Sequence, residues 1–240
     1  GRTVTETLPG GGTRITARYR DGRTKSITGT AVAAEYHSYT VSADGSITET
    51  VHYGTENGAR WSSSKTNGLG WLIEETRPSP AGNGQVITTT HSYNEKGQRI
   101  LTQRTGQADE HFIYDADGRL AVHGFDSNDN GQLDIASQDP ITVTTTGYEQ
   151  IGTLWYEVTT TAQFLGETAT QPQGISQISK RKIGGGMVED IAITIDAEGH
   201  QTTTMTLAMP SAKTVVTTTS SDRASLAAVR TAINGLPVSE

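Results

Sequence analysis

Cysteine is absent from the 240-residue chain, which excludes disulfides, thiol catalysis and Cys-ligated zinc. Apolar residues are scarce as well. At 33% they fall well below the globular average, and aromatics make up 6%. Such a chain buries little apolar surface per residue, so an elongated or hollow sheet suits it better than a compact sandwich. Clustered positive charge is also lacking: 19 basic against 26 acidic residues give a net charge of −7. That argues against a nucleic-acid groove, which needs grouped Lys and Arg to neutralise phosphates. The one dense basic run, Lys180-Arg181-Lys182, fits a solvated edge. No apolar run approaches the roughly 18 residues of a membrane span, and no signal peptide opens the chain. It starts abruptly in strand-like GRTVTETL and stops in NGLPVSE, as a segment of a longer protein does. With no cysteine, the expected location is extracellular or on a bacterial cell surface.

What is present is strand and turn chemistry. QVITTTHSY (85–93), DPITVTTTGY (139–148), LWYEVTTTAQF (154–164) and KTVVTTTSS (213–221) are β-branched and aromatic, the signature of strands. Asn-Gly at 57–58, 67–68, 83–84, 130–131 and 234–235, and Asp-Gly at 21–22, 44–45 and 117–118, tolerate the positive φ of tight hairpins. The pattern predicts an all-β antiparallel meander of many short strands. Thr alternates with apolar residues in much of it, leaving one sheet face only mildly polar. One helix is expected near the end, over RASLAAVRTAIN (223–234) with Asp222 as cap and Gly235 beyond it. Its alternating Thr and Ala also permit a strand.

A repeat underlies the meander. SYNEKGQRILTQRTG (92–106) and IYDADGRLAVHGF (113–125) align on an aromatic, a glycine and a basic-apolar step, with Tyr93 and Tyr114 twenty-one residues apart. Weaker copies are RYRDGRTKSITG (18–29), TVSADGSITET (40–50) and TIDAEGHQTTT (194–204). Each reads strand, turn with glycine, strand; in the full motif Tyr anchors the strand, Asp bonds the turn backbone, Gly supplies positive φ and Arg-Leu starts the return strand. YDADGRL (114–120) resembles the YD-repeat, or RHS-repeat, family, whose pattern is Tyr-Asp-x-x-Gly-Arg-Leu. YNEKGQR (93–99) is similar to it with Asn and Gln substituted. The clearest repeats span 85–125, and the looser likeness covers 1–240 as a single segment. The resemblance implies a curved or spiralling sheet forming a shell or tube, built with neighbouring copies or continuing repeats, that sometimes encloses a toxin cargo. It implies no catalytic activity. Shells of the family that release a toxin often end in an aspartyl autoproteolysis segment. Asp139-Pro140, the one Asp-Pro here, runs straight into the strand ITVTTTG and does not resemble it.

Directly after the best repeat comes FDSNDNGQLDIASQD (125–139). A calcium loop places side-chain oxygens at its first, third and fifth positions, glycine at the sixth, a carbonyl at the seventh and another oxygen at the ninth. Counted from Asp126, these are Asp126, Asn128, Asn130, Gly131, the Gln132 carbonyl and Asp134. The twelfth position, normally a bidentate acid, is Ser137, and Asp139 is the substitute in an extended chain. The loop 126–139 is therefore expected to take a structural calcium with modest affinity. The alternatives are an enlarged hairpin whose Asx side chains bond their own backbone, or another cation such as sodium.

Other constellations point away from catalysis. The six histidines lack HxH and HExxH spacing, and adjacent Glu74 and Glu75 face opposite sides of a strand. LPGGGT and IGGGM lack the Lys-Ser/Thr of a phosphate loop. Trp61, Trp71, Trp155, Tyr148 and Tyr156 serve either as anchors of a thin core or as a sugar-stacking platform. Two functions follow as expectations: a non-catalytic structural segment of a bacterial surface assembly, or an adhesin that recognises a glycan or protein.

Overall fold

In the computed structural model, the described residues are all of 1–240 except 83, 136–137, 166–175, 185–187, 197, 210–213, 223–227, 234–235 and 239–240. They form an all-β antiparallel meander in two compact units, Gly1–Gln107 and Ala108–Glu240. The first unit holds β1 (Arg2–Thr7), β2 (Thr13–Arg18), β3 (Thr24–Thr28), β4 (Glu35–Val41), β5 (Ile47–Tyr53), β6 (Trp61–Thr66), β7 (Leu72–Pro78), β8 (Val86–Tyr93) and β9 (Arg99–Arg104). The second holds β10 (Asp109–Tyr114), β11 (Leu120–Asp126), β12 (Ile141–Ile151), β13 (Leu154–Phe164), β14 (Ser176–Lys182), β15 (Val188–Ile195), β16 (Gln201–Met209), β17 (Thr214–Ser221), β18 (Ala228–Ile233) and β19 (Leu236–Val238). Within each unit, successive strands pair antiparallel, from β1 with β2 to β18 with β19.

The helix expected over 223–234 is a strand where it is described. Residues 228–233 pair with β17, from Thr219↔Ala228 to Thr214↔Ile233, while 223–227 and 234 lie outside the described residues. A helix this short is marginal without a covered apolar face. Extending an existing ladder satisfies the same backbone groups at once.

The hairpin turns share one design. Tyr19, Ser42, Asn67, Asn94, Asp115 and Asp196 each accept a hydrogen bond from the glycine three residues on, and each donates to the carbonyl four residues on. Asp115 Oδ1 takes the Arg119 amide at 2.8 Å, and Asn94 Oδ1 takes the Lys96 and Gln98 amides. The short Asx side chain thus stands in for a missing backbone partner. Gly118, at φ 82, occupies the left-handed region where a Cβ is penalised. A register shift lies just before four of these turns, at Ala17/Arg18, Lys65/Thr66, Ser92/Tyr93 and Ile113/Tyr114. The repeat tyrosines reach sideways: Tyr19 donates to the His37 carbonyl and Tyr93 to the Leu72 carbonyl.

Burial is thin. Ile141 and Tyr156 are the buried hydrophobic side chains among the described residues. Ile141 opens β12 just after the loop 126–139.

Candidate functional site

The loop 126–139 grows from the end of β11 and returns at the start of β12. At its neck the strands approach closely. Gly124 pairs with Ile141, and a Cβ on Gly124 would lie 2.7 Å from the Pro140 carbonyl oxygen. That carbonyl accepts the Phe125 amide at 3.2 Å. Asp126 and Asp139 flank the neck and are 3% and 2% exposed, so their carboxylates must be satisfied inside the loop.

Backbone amides satisfy them. Asp126 accepts the Asn130 amide at 3.1 Å on Oδ1 and the Gly131 amide at 2.6 Å on Oδ2. Asp139 accepts the Ser127 amide at 2.8 Å and the Asp134 amide at 3.1 Å. Asn128 Oδ1 also accepts from the Asn130 amide, and Asn130 Oδ1 from the Gln132 amide. The Asn130 side-chain amide donates to Asp134 Oδ2 at 2.7 Å. Asp129, at φ 58, and Gly131, at φ 82, turn the chain.

Each expected side-chain ligand therefore has a definite place, while Gln132 is tied by its amide to Asn130. Asp126 and Asp139 clamp the two ends, Asn128 and Asn130 shape the turn between them, and Asp134 sits beside Asn130. Ser137 lies outside the described residues. Among the described residues, no three acidic or histidine side chains gather as a group that could hold a metal ion. A cation here would need oxygen lone pairs that are not already given to amides, with Asp134 turned away from Asn130. Sequence reasoning named Asp139, as a ligand with backbone-bonded Asx side chains as the alternative, but missed the close approach at Gly124. Gly-Phe-Asp within a strand was the available signal for it.

Several histidines have acidic partners. His37 meets Glu49 at 2.8 Å across β4 and β5, and His123 meets Glu110 at 2.8 Å across β10 and β11. His91 lies 3.7 Å from Glu75. Glu49 also accepts from Tyr39 at 2.7 Å. Burial works to raise the Glu49 carboxyl, but the hydrogen bonds from His37 and Tyr39 overcome it and hold the group below the usual carboxylate range. Burial and the Glu49 hydrogen bond push the Tyr39 phenol up to about 12.

The aromatic candidates divide. Tyr156 is buried and Trp71 packs on Tyr93 at 5.3 Å, as anchors of a thin core do. Tyr148 and Trp155 are 62% and 50% exposed. Tyr148 pairs with Glu157 and Trp155 with Gln150, so the two rings leave the same face of the β12–β13 hairpin.

No family model matches this chain, and no curated protein matches it. Among solved structures, one described as "Crystal Structure of TcdB2-TccC3-Cdc42" aligns with 95% of this chain and 15% of that one, at 9% identity and a TM-score of 0.24. The chain thus spans a small part of the length of that structure's chain.

Proposed function

We propose that the chain is a non-catalytic structural segment of a bacterial extracellular or cell-surface assembly, a shell wall or filament subunit of the YD-repeat kind. The carrying observation is a meander in which strands pair with their sequence neighbours through repeated Asx-Gly turns, while few apolar side chains are buried among the described residues. Such a sheet gains stability by meeting more sheet, in continuing repeats or neighbouring copies, and it has faces that can enclose cargo. Electron micrographs of the purified chain test this directly. Filaments or closed shells are expected, and a compact monomer at high concentration would overturn it.

In this reading the loop 126–139 is a brace, with calcium as its ion and Asp126, Asn128, Asn130, the Gln132 carbonyl, Asp134 and Asp139 as ligands. Its support is the ligand spacing together with two carboxylates buried at the neck. Affinity on the order of 10⁻⁴–10⁻³ M, that of extracellular modules, is expected. Millimolar calcium should raise the Tm relative to chelator, and Asp126→Ala should abolish the rise. Identical melting in both conditions would leave a self-bonded turn.

Tyr148 and Trp155, exposed on one face, favour a second reading, an adhesin that stacks a sugar on this hairpin. Glycan-array binding that disappears in Trp155→Ala would support it. Binding retained in that variant would exclude this hairpin as the platform.

A further inference from the structure

A cavity of about 380 Å³ in the first unit is lined by Tyr53, Arg60, Ser62, Arg77, Pro78 and Pro80, among others. The ladder explains why its polar members converge. The Tyr53 amide bonds the Arg60 carbonyl, so those residues stand opposite each other. Val51 pairs with Ser62, and Ser63 with Thr76, which sets Arg77 opposite Ser62. Tyr53, Arg60, Ser62 and Arg77 therefore leave one face of β5, β6 and β7. The Arg60 guanidinium lies 5.9 Å from the centre of the Tyr53 ring. The Tyr53 hydroxyl and Ser62 Oγ are 3.1 Å apart; whichever donates, one O–H remains to be given to a ligand.

Two positive charges line this one cavity. Among the described residues, neither Arg60 nor Arg77 has a carboxylate within ion-pair distance. Arg23, Arg119 and Arg181 are ion-paired, whereas Arg2, Arg14, Arg18, Arg20 and Arg104, like Arg60 and Arg77, form no ion pair among the described residues and do not line this cavity. Glu75, two residues before Arg77 on the same face, turns toward His91. Two guanidiniums without carboxylate partners thus share one cavity in a chain of net charge −7. Guanidinium forks match planar oxyanions, and the spare hydroxyl suits a hydroxylated carrier.

We infer that this cavity binds an acidic sugar, its carboxylate held between Arg60 and Arg77 and a ring hydroxyl met by the Tyr53–Ser62 pair. The site does not depend on the structural role proposed above, so its failure would leave that reading intact.

The test is an NMR titration of the intact chain at low salt with glucuronate, glucose and inorganic sulfate, followed at the Tyr53, Arg60, Ser62 and Arg77 amides. Saturable shifts with glucuronate are expected, weakened by added salt and at least about tenfold weaker in Arg60→Gln/Arg77→Gln. Arg20→Gln, outside the cavity, should bind as the native chain does. Both cavity arginines are exposed, so the double variant should keep the native circular dichroism. Equal affinity for sulfate and glucuronate would overturn the assignment to a sugar. So would equal binding of glucose, no shift with glucuronate, or binding that survives the double substitution.

Discussion

Asp126 holds the neck of its loop through two amides, and both lose their acceptor in Asp126→Ala. Urea denaturation should show a loss of about 2 kcal/mol or more, and less for Asp126→Asn, which keeps one acceptor oxygen. Gly124→Ala should destabilise by about 1–3 kcal/mol, because the atom in the way is a backbone carbonyl that cannot rotate aside. Hydrogen exchange of the Phe125 amide should accelerate with it. Tyr39 supplies a pH signature. Its phenol is raised to about 12, so the folded chain holds a proton that the unfolded chain releases near its ordinary value of about 10. The contribution is complete below pH 10 and disappears as pH rises toward 12. Alkaline unfolding should shift accordingly, and Tyr39→Phe should remove that shift. Glu49 works in the opposite direction. Its lowered carboxyl adds stability above its unfolded pKa, which is lost as pH falls through the folded value.

At the scale of elements, turns were the most legible part of the sequence. YDADGRL specifies its hairpin through local chemistry alone: Asp115 bonds the Arg119 amide, Gly118 takes positive φ and Leu120 opens β11. Asn67, in TNGLGW, makes the same turn but lacks the tyrosine, so it reads as a plain Asn-Gly. The bulges before the turns had no sequence mark, because an extra residue in a ladder depends on the partner strand. Residues 228–233 show the converse limit. Their sequence fits a helix or a strand, and in the structure they pair with β17. The candidate loop was legible in its ligand types and spacing. The direction of each oxygen was not, since Asn130 and Asp134 satisfy one another in a way that spacing does not foretell.

Within each unit, the described strands are joined by adjacent ladders and bury few apolar side chains. Stability of this kind is nearly a sum of local and nearest-neighbour terms, as in repeat proteins, and two-state unfolding is not expected. Trp61 and Trp71 report on the first unit and Trp155 on the second. In urea, their fluorescence transitions, separated by single-Trp variants, should not coincide. A single shared midpoint would reveal cooperativity that the scant burial does not supply.

The nearest-neighbour wiring also has a mechanical consequence. Tension applied across the strands of either unit would load one ladder at a time, opening its hydrogen bonds in sequence instead of shearing them together. Each hairpin released would add length and relieve its neighbours, and each Asx-Gly turn would remain a local template for closing again. A wall built from such segments would give way by stretching, hairpin by hairpin, before it broke.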